Sequence, residues 1–277
     1  MRKVFFFYFC SLKNLLMALI QEFERTGNLL FKYRGQIPVL IFLIALPVVC
    51  LTNQDWYAEV GLGHYNAWYI TLCVLAFLIS LAGLVLRAYT VSTTPKGTSG
   101  RNTRTQVADT LNTQGIYSVV RHPLYLANYL IWAGILVFTM NVWAFLIVSL
   151  LYCLYYERIM FAEEAFLRSR FGEQFEEWSA RVPAFLPRLR NREKSPMTFS
   201  WKTFVRREYV TFYSTIFTYT LTDYLLFFLM HRHIYTCLPL HQWLRPSLWI
   251  LAVATVLLIT IHMIKHHTAV LKNDNRD

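Results

Sequence analysis

Apolar residues are gathered in six runs along this chain, and polar stretches separate the runs. Unbroken apolar runs of this length lack the alternation that is typical of half-buried strands, and they predict helices in a lipid environment. The six predicted membrane segments are residues 37–51, 68–89, 124–138, 142–156, 213–230 and 248–264. We therefore predict an all-α fold, a polytopic helical membrane protein with about six membrane segments.

Two neighbouring segments form a predicted short hairpin with a tight turn near Asn141. A helix of about 15 residues rises only about 22 Å, less than the roughly 30 Å of a bilayer's hydrocarbon core. Each arm must therefore borrow flanking residues or stop short. The second arm is predicted to continue as a helix through Glu163 and Glu164 and to end or bend at Gly172. Glu164 and Arg168 have the i,i+4 spacing of a surface ion pair.

The placement of the segments predicts three regions. Residues 1–36 mix apolar clusters with charges, which suits an amphipathic helix lying in the membrane interface. Residues 37–190 form the predicted membrane core, in which Pro47 is expected to kink the first span. Residues 191–277 form a predicted C-terminal extension with two membrane spans.

Basic residues predict the orientation in the membrane. The loop 52–67 contains no Lys or Arg, whereas the loop 90–120 contains Lys96, Arg101 and Arg104. Loops rich in Lys and Arg remain on the cytoplasmic side. We therefore predict an integral membrane protein of a bacterial inner membrane or the endoplasmic reticulum, with both termini and the loop 90–120 in the cytoplasm.

The composition agrees with a membrane location. Hydrophobic residues make up 56% of the 277 residues and charged residues only 16%, against about 25% charged in a soluble domain. We interpret the net charge of +11 as attraction to anionic headgroups and not to nucleic acid, because basic residues flank the apolar runs and no nucleic-acid motif appears. The five cysteines show no Cys-x-x-Cys pair, so no disulfide framework and no metal site are predicted.

Polar groups collect at the two ends of the predicted hairpin. Arg121 and His122 stand at the entrance of its first arm, and the pair Glu163-Glu164 follows its second arm. Polar groups at such positions are costly unless something satisfies them. Because a hairpin returns the chain to the side from which it came, we expect these groups to meet on one side of the membrane. Together they would suit a small zwitterionic ligand.

These residues belong to a longer pattern: Gly-x-Tyr-x-x-x-Arg-His-Pro-x-Tyr, an apolar hairpin, Glu-Glu-x-x-Leu-x-x-x-Phe-Gly, and Arg-Val-Pro-x-x-x-Pro. The matching residues are Gly115, Tyr117, Arg121, His122, Pro123, Tyr125, Glu163, Glu164, Leu167, Phe171, Gly172, Phe175, Arg181, Val182, Pro183 and Pro187. The pattern resembles the isoprenylcysteine carboxyl methyltransferase and phospholipid methyltransferase superfamily over about residues 110–190. One departure is Ala127, where the family often has glycine. The resemblance implies an integral membrane enzyme that uses S-adenosylmethionine.

The resemblance also implies a cofactor site. The residues that would line it are Tyr117, Arg121, His122, Pro123, Tyr125, Glu163 and Glu164. A carboxylate would hold the amino group of S-adenosylmethionine and a cation would hold its carboxylate, through charge-assisted hydrogen bonds. Because neighbours in a helix point about 100° apart, we expect only one of the two glutamates to face the cofactor.

The expected methyl acceptor is a lipid or a lipidated molecule, with a carboxylate, phosphate or amine in its polar head. A carboxylate or phosphate is already deprotonated at neutral pH, whereas an amine must first lose a proton, which Glu157 or Glu163 would accept. Arg158 and Arg181 are the candidates for orienting an anionic head. Glu163, Arg158 and Arg181 are the predicted catalytic set, and the basic excess favours an anionic acceptor.

Other interpretations remain open from the sequence alone. The run from His262 to His267 has the spacing of one histidine box of membrane di-iron enzymes, which need several boxes to collect enough ligands. A relative of the sterol reductases would share the Arg-His-Pro element and use a nicotinamide cofactor. A non-catalytic membrane scaffold would retain the fold alone. Binding of S-adenosylmethionine separates the methyltransferase from all three.

Overall fold

The computed structural model describes residues 20–51, 67–95, 108–231 and 243–271. Every regular element in these ranges is helical, which confirms the predicted all-α class. Residues 1–19 of the predicted interfacial segment, the predicted outer loop at 52–66 and positions 96–107 of the inner loop lie outside the described residues.

Nine α-helices and two short 3₁₀ turns make up the described ranges. The helices are α1 Ile20–Lys32, α2 Ile37–Leu43, α3 Ala45–Leu51, α4 Ala67–Thr93, α5 Pro123–Phe138, α6 Val142–Phe171, α7 Glu173–Arg181, α8 Trp201–His231 and α9 Pro246–His267. The 3₁₀ turns are Gly115–Ser118 and Leu189–Asn191. The first of these turns and the start of α5 carry most of the motif residues.

The first helices form a bent unit. Helix α1 meets the α2–α3 pair at 88° across a turn at residues 33–36. A second break separates α2 from α3 at Ile44. Pro47 has no N–H to donate to the carbonyl of Leu43, so the helix breaks where the sequence predicts a kink.

Helices α4 and α5 run antiparallel with their backbones in contact. The Ser80 hydroxyl of α4 donates to the Ile131 carbonyl of α5 at 2.8 Å. Gly134 leaves no room for a side chain, since a Cβ there would lie 2.8 Å from the Ser80 backbone nitrogen. Small residues at facing positions let membrane helices approach in this way. The contact fixes the position of α5, whose first residue follows His122.

The predicted hairpin consists of α5 and α6. Asn141 begins α6, and its side chain accepts a hydrogen bond from the Ala144 N–H at 2.9 Å, a helix N-cap. Gly172, with a φ of 51°, ends α6 where the sequence predicts it. The expected pair of Glu164 with Arg168 is wrong: α7 turns back at Gly172, and the Arg168 Nε donates to Glu176 at 2.6 Å instead.

The C-terminal extension is joined to the membrane core by a buried polar network. Glu208 of α8 is 1% exposed and accepts a hydrogen bond from the Arg87 Nε of α4 at 2.5 Å. The Arg87 guanidinium also donates to the Asn128 side chain of α5 at 2.7 Å. One arginine therefore links three helices, and the extension packs on the core through a hydrogen-bonded charge pair.

Of the helices in the described ranges, three, α4, α6 and α9, are long and apolar enough to cross a membrane. The bent unit α1–α3 makes a fourth if it counts as one span, so the predicted number of about six is not confirmed. Helix α5 is apolar but shorter, as the hairpin pattern predicts. The predicted segment 213–230 lies within α8 and contains Asp223, which pairs with Arg245.

Candidate functional site

His122 stands at the start of α5, in the bend that leads into the membrane hairpin. Its backbone N–H donates to the Ala184 carbonyl at 3.2 Å, and the Arg121 N–H donates to the Pro183 carbonyl at 2.9 Å. Pro123 occupies the first turn of α5, where its missing N–H is not needed. Pro183 and Ala184, just after α7, therefore hold the Arg-His-Pro segment in place through the backbone.

Both glutamates of α6 contact His122. The Nε2 atom of His122 lies 2.9 Å from a Glu164 carboxylate oxygen, and its Nδ1 atom lies 3.4 Å from Glu163. We expected only one of the two neighbours to point inward. Both glutamates point toward His122. Each of the two imidazole nitrogens contacts one of them, Nε2 with Glu164 and Nδ1 with Glu163.

Two arginines complete the cluster. The Arg121 Nε lies 3.1 Å from the same Glu164 oxygen, and an Arg121 terminal nitrogen donates to the Ser179 carbonyl at 3.1 Å. From the turn between α1 and α2, Arg34 approaches Glu163 at 3.9 Å. The histidine, the two arginines and the two glutamates all have side chains no more than 21% exposed. We call these five residues the acidic–basic cluster.

The surroundings of His122 favour its protonated form. Burial lowers the pKa of His122, but hydrogen bonds to Glu163 and Glu164 and the negative charge of both carboxylates outweigh burial, so the pKa is raised above its usual 6.5. An imidazolium can donate from both nitrogens and so satisfies both carboxylates at once.

We expect the stability that His122 contributes to depend on pH. A histidine whose pKa is raised on folding contributes fully below its unfolded pKa of about 6.5, and that contribution is lost as pH rises through the folded pKa. The groups that face it are Arg34, Arg121, Glu163 and Glu164. The melting temperature of the wild type should therefore exceed that of His122→Gln most at low pH. A difference that stays constant from about pH 6 to about pH 8 would contradict this interpretation.

Tyrosines form a wall beside the cluster. The ring of Tyr125 stacks on His122 with 5.6 Å between ring centroids and lies 4.6 Å from Tyr156 of α6. Tyr152, one turn earlier, lies 4.3 Å from Tyr156, and its hydroxyl donates to the Tyr125 carbonyl at 3.0 Å. Sequence reasoning identified Tyr125 but missed Tyr152 and Tyr156, although their i,i+4 spacing places both on one helix face.

Tyr117 lies near the cluster on the 3₁₀ turn. Burial raises the pKa of the Tyr117 phenol above its usual 10.0, the charge of Glu163 raises it further, and a hydrogen bond with Thr94 acts in the opposite direction. The Tyr117 carbonyl accepts a hydrogen bond from the Trp178 indole at 2.9 Å. The phenol is therefore neutral at physiological pH and sits within reach of the Glu163 charge.

Arg158 and Arg181 lie apart from one another. The Arg158 guanidinium covers the ring of Phe23 in α1, 3.4 Å from the ring centroid. Arg181 is exposed at the end of α7, where it lines a cavity of about 320 Å³ with Trp178 and Glu193. The structure thus gives Arg158 a contact between helices and places Arg181 at a separate cavity. Their part in orienting an acceptor stays a prediction.

The model of the phospholipid methyltransferase family matches residues 69–174, which include most of α4, the hairpin and both glutamates of the cluster. The match supports a place for these residues in the isoprenylcysteine carboxyl methyltransferase and phospholipid methyltransferase superfamily. The superfamily match begins earlier than the motif at 110–190 and ends before Arg181. Arg34, which joins the cluster from the turn after α1, also lies outside the matched residues.

Two curated relatives are named as methyltransferases. The chain is 26% identical over 194 residues to the protein-S-isoprenylcysteine O-methyltransferase of Schizosaccharomyces pombe, which covers 66% of this chain and 82% of that protein. It is 32% identical over 137 residues to protein-S-isoprenylcysteine O-methyltransferase B of Arabidopsis thaliana, which covers 45% of this chain and 63% of that one.

A third relative has a different name. The chain is 41% identical over 81 residues to the cobalt-zinc-cadmium resistance protein CzcN of Cupriavidus metallidurans, covering 29% of this chain. The match spans 37% of that protein's length. In the described part of the chain, no group of three or more His, Cys, Asp and Glu residues is arranged to hold a metal ion. No solved structure matches this chain.

Proposed function

We propose that this protein is an integral membrane methyltransferase that moves a methyl group from S-adenosylmethionine to the polar head of a lipid or lipidated acceptor. The acidic–basic cluster carries the proposal, because it joins both halves of the superfamily motif around His122 at one end of a membrane hairpin. The relatives named as methyltransferases support the reaction type.

The residues of the cluster fit the polar groups of S-adenosylmethionine. Glu163 and Glu164 would hold its amino group, while Arg121 and His122 would hold its carboxylate. Tyr117, Pro123 and Tyr125 would supply apolar and aromatic surface beside the adenine. When bound, the cofactor supplies a methyl group activated by a sulfonium cation. The protein orients both ligands and excludes water from them.

We propose that the acceptor enters from the bilayer, with its apolar tail between helices and its head toward the cluster. A head that carries a carboxylate or a phosphate needs no base, so Glu163 would act only as an anchor. An amine head would require Glu163 as the base that takes its proton. Arg158 and Arg181 are proposed to orient an anionic head, with Arg158 over the Phe23 ring and Arg181 at the cavity beside Trp178.

The proposed membrane arrangement has about six segments, with both termini and the site in the cytoplasm of a bacterial cell or facing it from the endoplasmic reticulum. Residues 1–36 would lie in the interface, 37–190 would form the catalytic core and 191–277 the extension. Labelling of single cysteines from outside should reach the loop 52–67 and not the loop 90–120. The reverse pattern would contradict this orientation.

Two measurements on the full-length protein test the function. Purified protein in lipid nanodiscs should bind labelled S-adenosylmethionine, and lipids of cells that express it should show species heavier by one methyl group. Cells that express the Glu163→Gln, Glu164→Gln double variant should lack those species. Wild-type protein that binds no S-adenosylmethionine would overturn the proposal, and bound iron or a nicotinamide cofactor would favour an oxidoreductase instead.

A further inference from the structure

We propose that Arg34 binds an oxyanion of one of the two ligands, either the α-carboxylate of the methyl donor or an anionic head of the acceptor. The inference rests on the proposed function and adds to it a residue outside both the superfamily motif and the matched residues 69–174. It also adds α1, predicted to be only an interfacial segment, to the site.

Close packing against α6 holds Arg34 in position. Gly27 of α1 lies against the backbone of Arg158, and a Cβ at Gly27 would be only 2.8 Å from that of Ala162. The Tyr155 hydroxyl of α6 donates to the Leu30 carbonyl at 3.1 Å. Helix α1 therefore cannot slide freely along α6, and the turn that follows it presents Arg34 to Glu163.

The guanidinium of Arg34 lacks the partners that a buried cation requires. Its side chain is 11% exposed, and among the described residues neither terminal nitrogen has a hydrogen-bond partner. The nearest carboxylate oxygen, on Glu163, is 3.9 Å away, which is too far for a hydrogen bond. The Arg34 guanidinium carbon lies 4.0 Å from the centroid of the Phe31 ring, and that ring offers no hydrogen-bond acceptor in the plane of the guanidinium. A buried charge without hydrogen bonds is costly.

Two other shielded arginines, Arg87 and Arg245, have hydrogen-bonded carboxylates. Arg87 donates to Glu208 at 2.5 Å, and Arg245 makes two hydrogen bonds of 2.7 Å to Asp223. Both are more exposed than Arg34, at 23% and 24%. Two arginines that are more exposed to water than Arg34 therefore have hydrogen-bonded carboxylates. At Arg34 the fold leaves a planar guanidinium whose geometry suits a carboxylate or a phosphate.

The charge of the cluster favours an anion as the missing partner. Arg34 and Arg121 carry two positive charges, and Glu163 and Glu164 carry two negative ones. Protonation of His122, which both carboxylates favour, makes the cluster positive. Arg121 donates from one nitrogen to the Ser179 carbonyl, and its Nε has no hydrogen-bond partner among the described residues. In Arg34, both terminal nitrogens lack such a partner, so Arg34 offers the larger number of unused donors. An oxyanion bound there would satisfy the two donors of Arg34 and offset the positive charge of protonated His122.

Paired ligands that differ only in the anion test the assignment. The donor pair is S-adenosylmethionine and decarboxylated S-adenosylmethionine, and the acceptor pair is N-acetyl-S-farnesylcysteine and its carboxamide. Equilibrium binding is measured in nanodiscs for the wild type, Arg34→Gln, Arg34→Lys and the control Lys32→Gln. The control removes a cation two positions away, on an exposed side chain of the same segment.

Arg34→Gln should weaken binding of the anionic member of one pair by about 10- to 100-fold and leave its neutral partner unchanged. Loss in the donor pair identifies the donor carboxylate, and loss in the acceptor pair identifies the acceptor head. The affinity of Arg34→Lys for the anionic ligand should lie between those of the wild type and Arg34→Gln, because lysine keeps the charge and lacks the planar guanidinium. Lys32→Gln should match the wild type.

A purely structural Arg34 gives a different result. Arg34→Gln would then lower the melting temperature of the ligand-free protein and leave the preference for the anion intact in both pairs, which would overturn the inference. Failure of the proposed function is distinguishable, since the wild type itself would then bind no S-adenosylmethionine, and the inference would fall with it.

Discussion

Replacing Glu163 and Glu164 together by glutamine is expected to abolish binding of S-adenosylmethionine to the full-length protein. Both carboxylates contact His122, so either one can face a ligand on that side of the hairpin. A hydrogen bond to a charged group contributes roughly 1.5–3 kcal/mol, and the loss of two should reduce affinity by at least about a hundredfold. Isothermal titration calorimetry in nanodiscs measures the effect.

The double variant should still fold. Without the carboxylates the pKa of His122 falls, and the neutral imidazole can still share hydrogen bonds with glutamine amides. A matched control is Glu176→Gln with Glu177→Gln, which also removes two charges. The Glu176 side chain is 54% exposed and pairs with Arg168, and such surface pairs contribute about 0–1 kcal/mol. Wild-type donor affinity in the Glu163, Glu164 variant would refute the acidic anchor.

The sequence predicted that Arg121 and His122 meet Glu163 and Glu164, because the hairpin joins these residues directly. A short hairpin with a turn at Asn141 must bring residue 122 and residues 163–164 to the same side of the membrane. This follows from helix rise and from the return of the chain. The backbone hydrogen bonds from Arg121 and His122 to residues 183 and 184 then place the Arg-Val-Pro segment beside the same bend.

The sequence did not predict Arg34 as part of the cluster. Arg34 stands in a run of mixed charges that reads as the solvated face of an interfacial helix, and nothing in hydrophobic periodicity separates it from Lys32. Its place depends on the close approach of α1 to α6 at Gly27. Such contacts between distant segments are set by side-chain shape, which a pattern of apolar and polar positions does not encode.

The number of membrane segments was also beyond the sequence pattern. An apolar run shows that its residues are shielded from water, but it does not show whether lipid or other protein segments cover them. Helix α5 shows the difference: it is shorter than a full span, and Ala127, Ile131 and Ile135 are buried by protein contacts. A run of that kind is apolar because other helices cover it. The number of apolar runs is therefore larger than the number of described helices that are long enough to cross a membrane.

The position of the cluster depends on how closely α5 packs against α4, and Gly134→Ala is expected to disrupt that packing. The added methyl would collide with the Ser80 hydroxyl and with the Ala76 carbonyl, and it would lie 2.8 Å from the Ser80 nitrogen. Two of these atoms belong to the backbone, so the helices must separate. Overpacking of this kind costs about 1–3 kcal/mol or more, despite the better helix propensity of alanine.

Separation of the helices would also move His122, because α5 follows it directly and continues rigidly to Gly134. Gly134→Ala should therefore lower both the melting temperature in nanodiscs and the affinity for S-adenosylmethionine. Gly35→Ala is the control, since a Cβ there meets nothing within 4 Å, and it should leave both quantities unchanged. A Gly134→Ala protein as stable as the Gly35→Ala protein would mean that α4 and α5 do not pack backbone to backbone, and the bend at His122 would need another support.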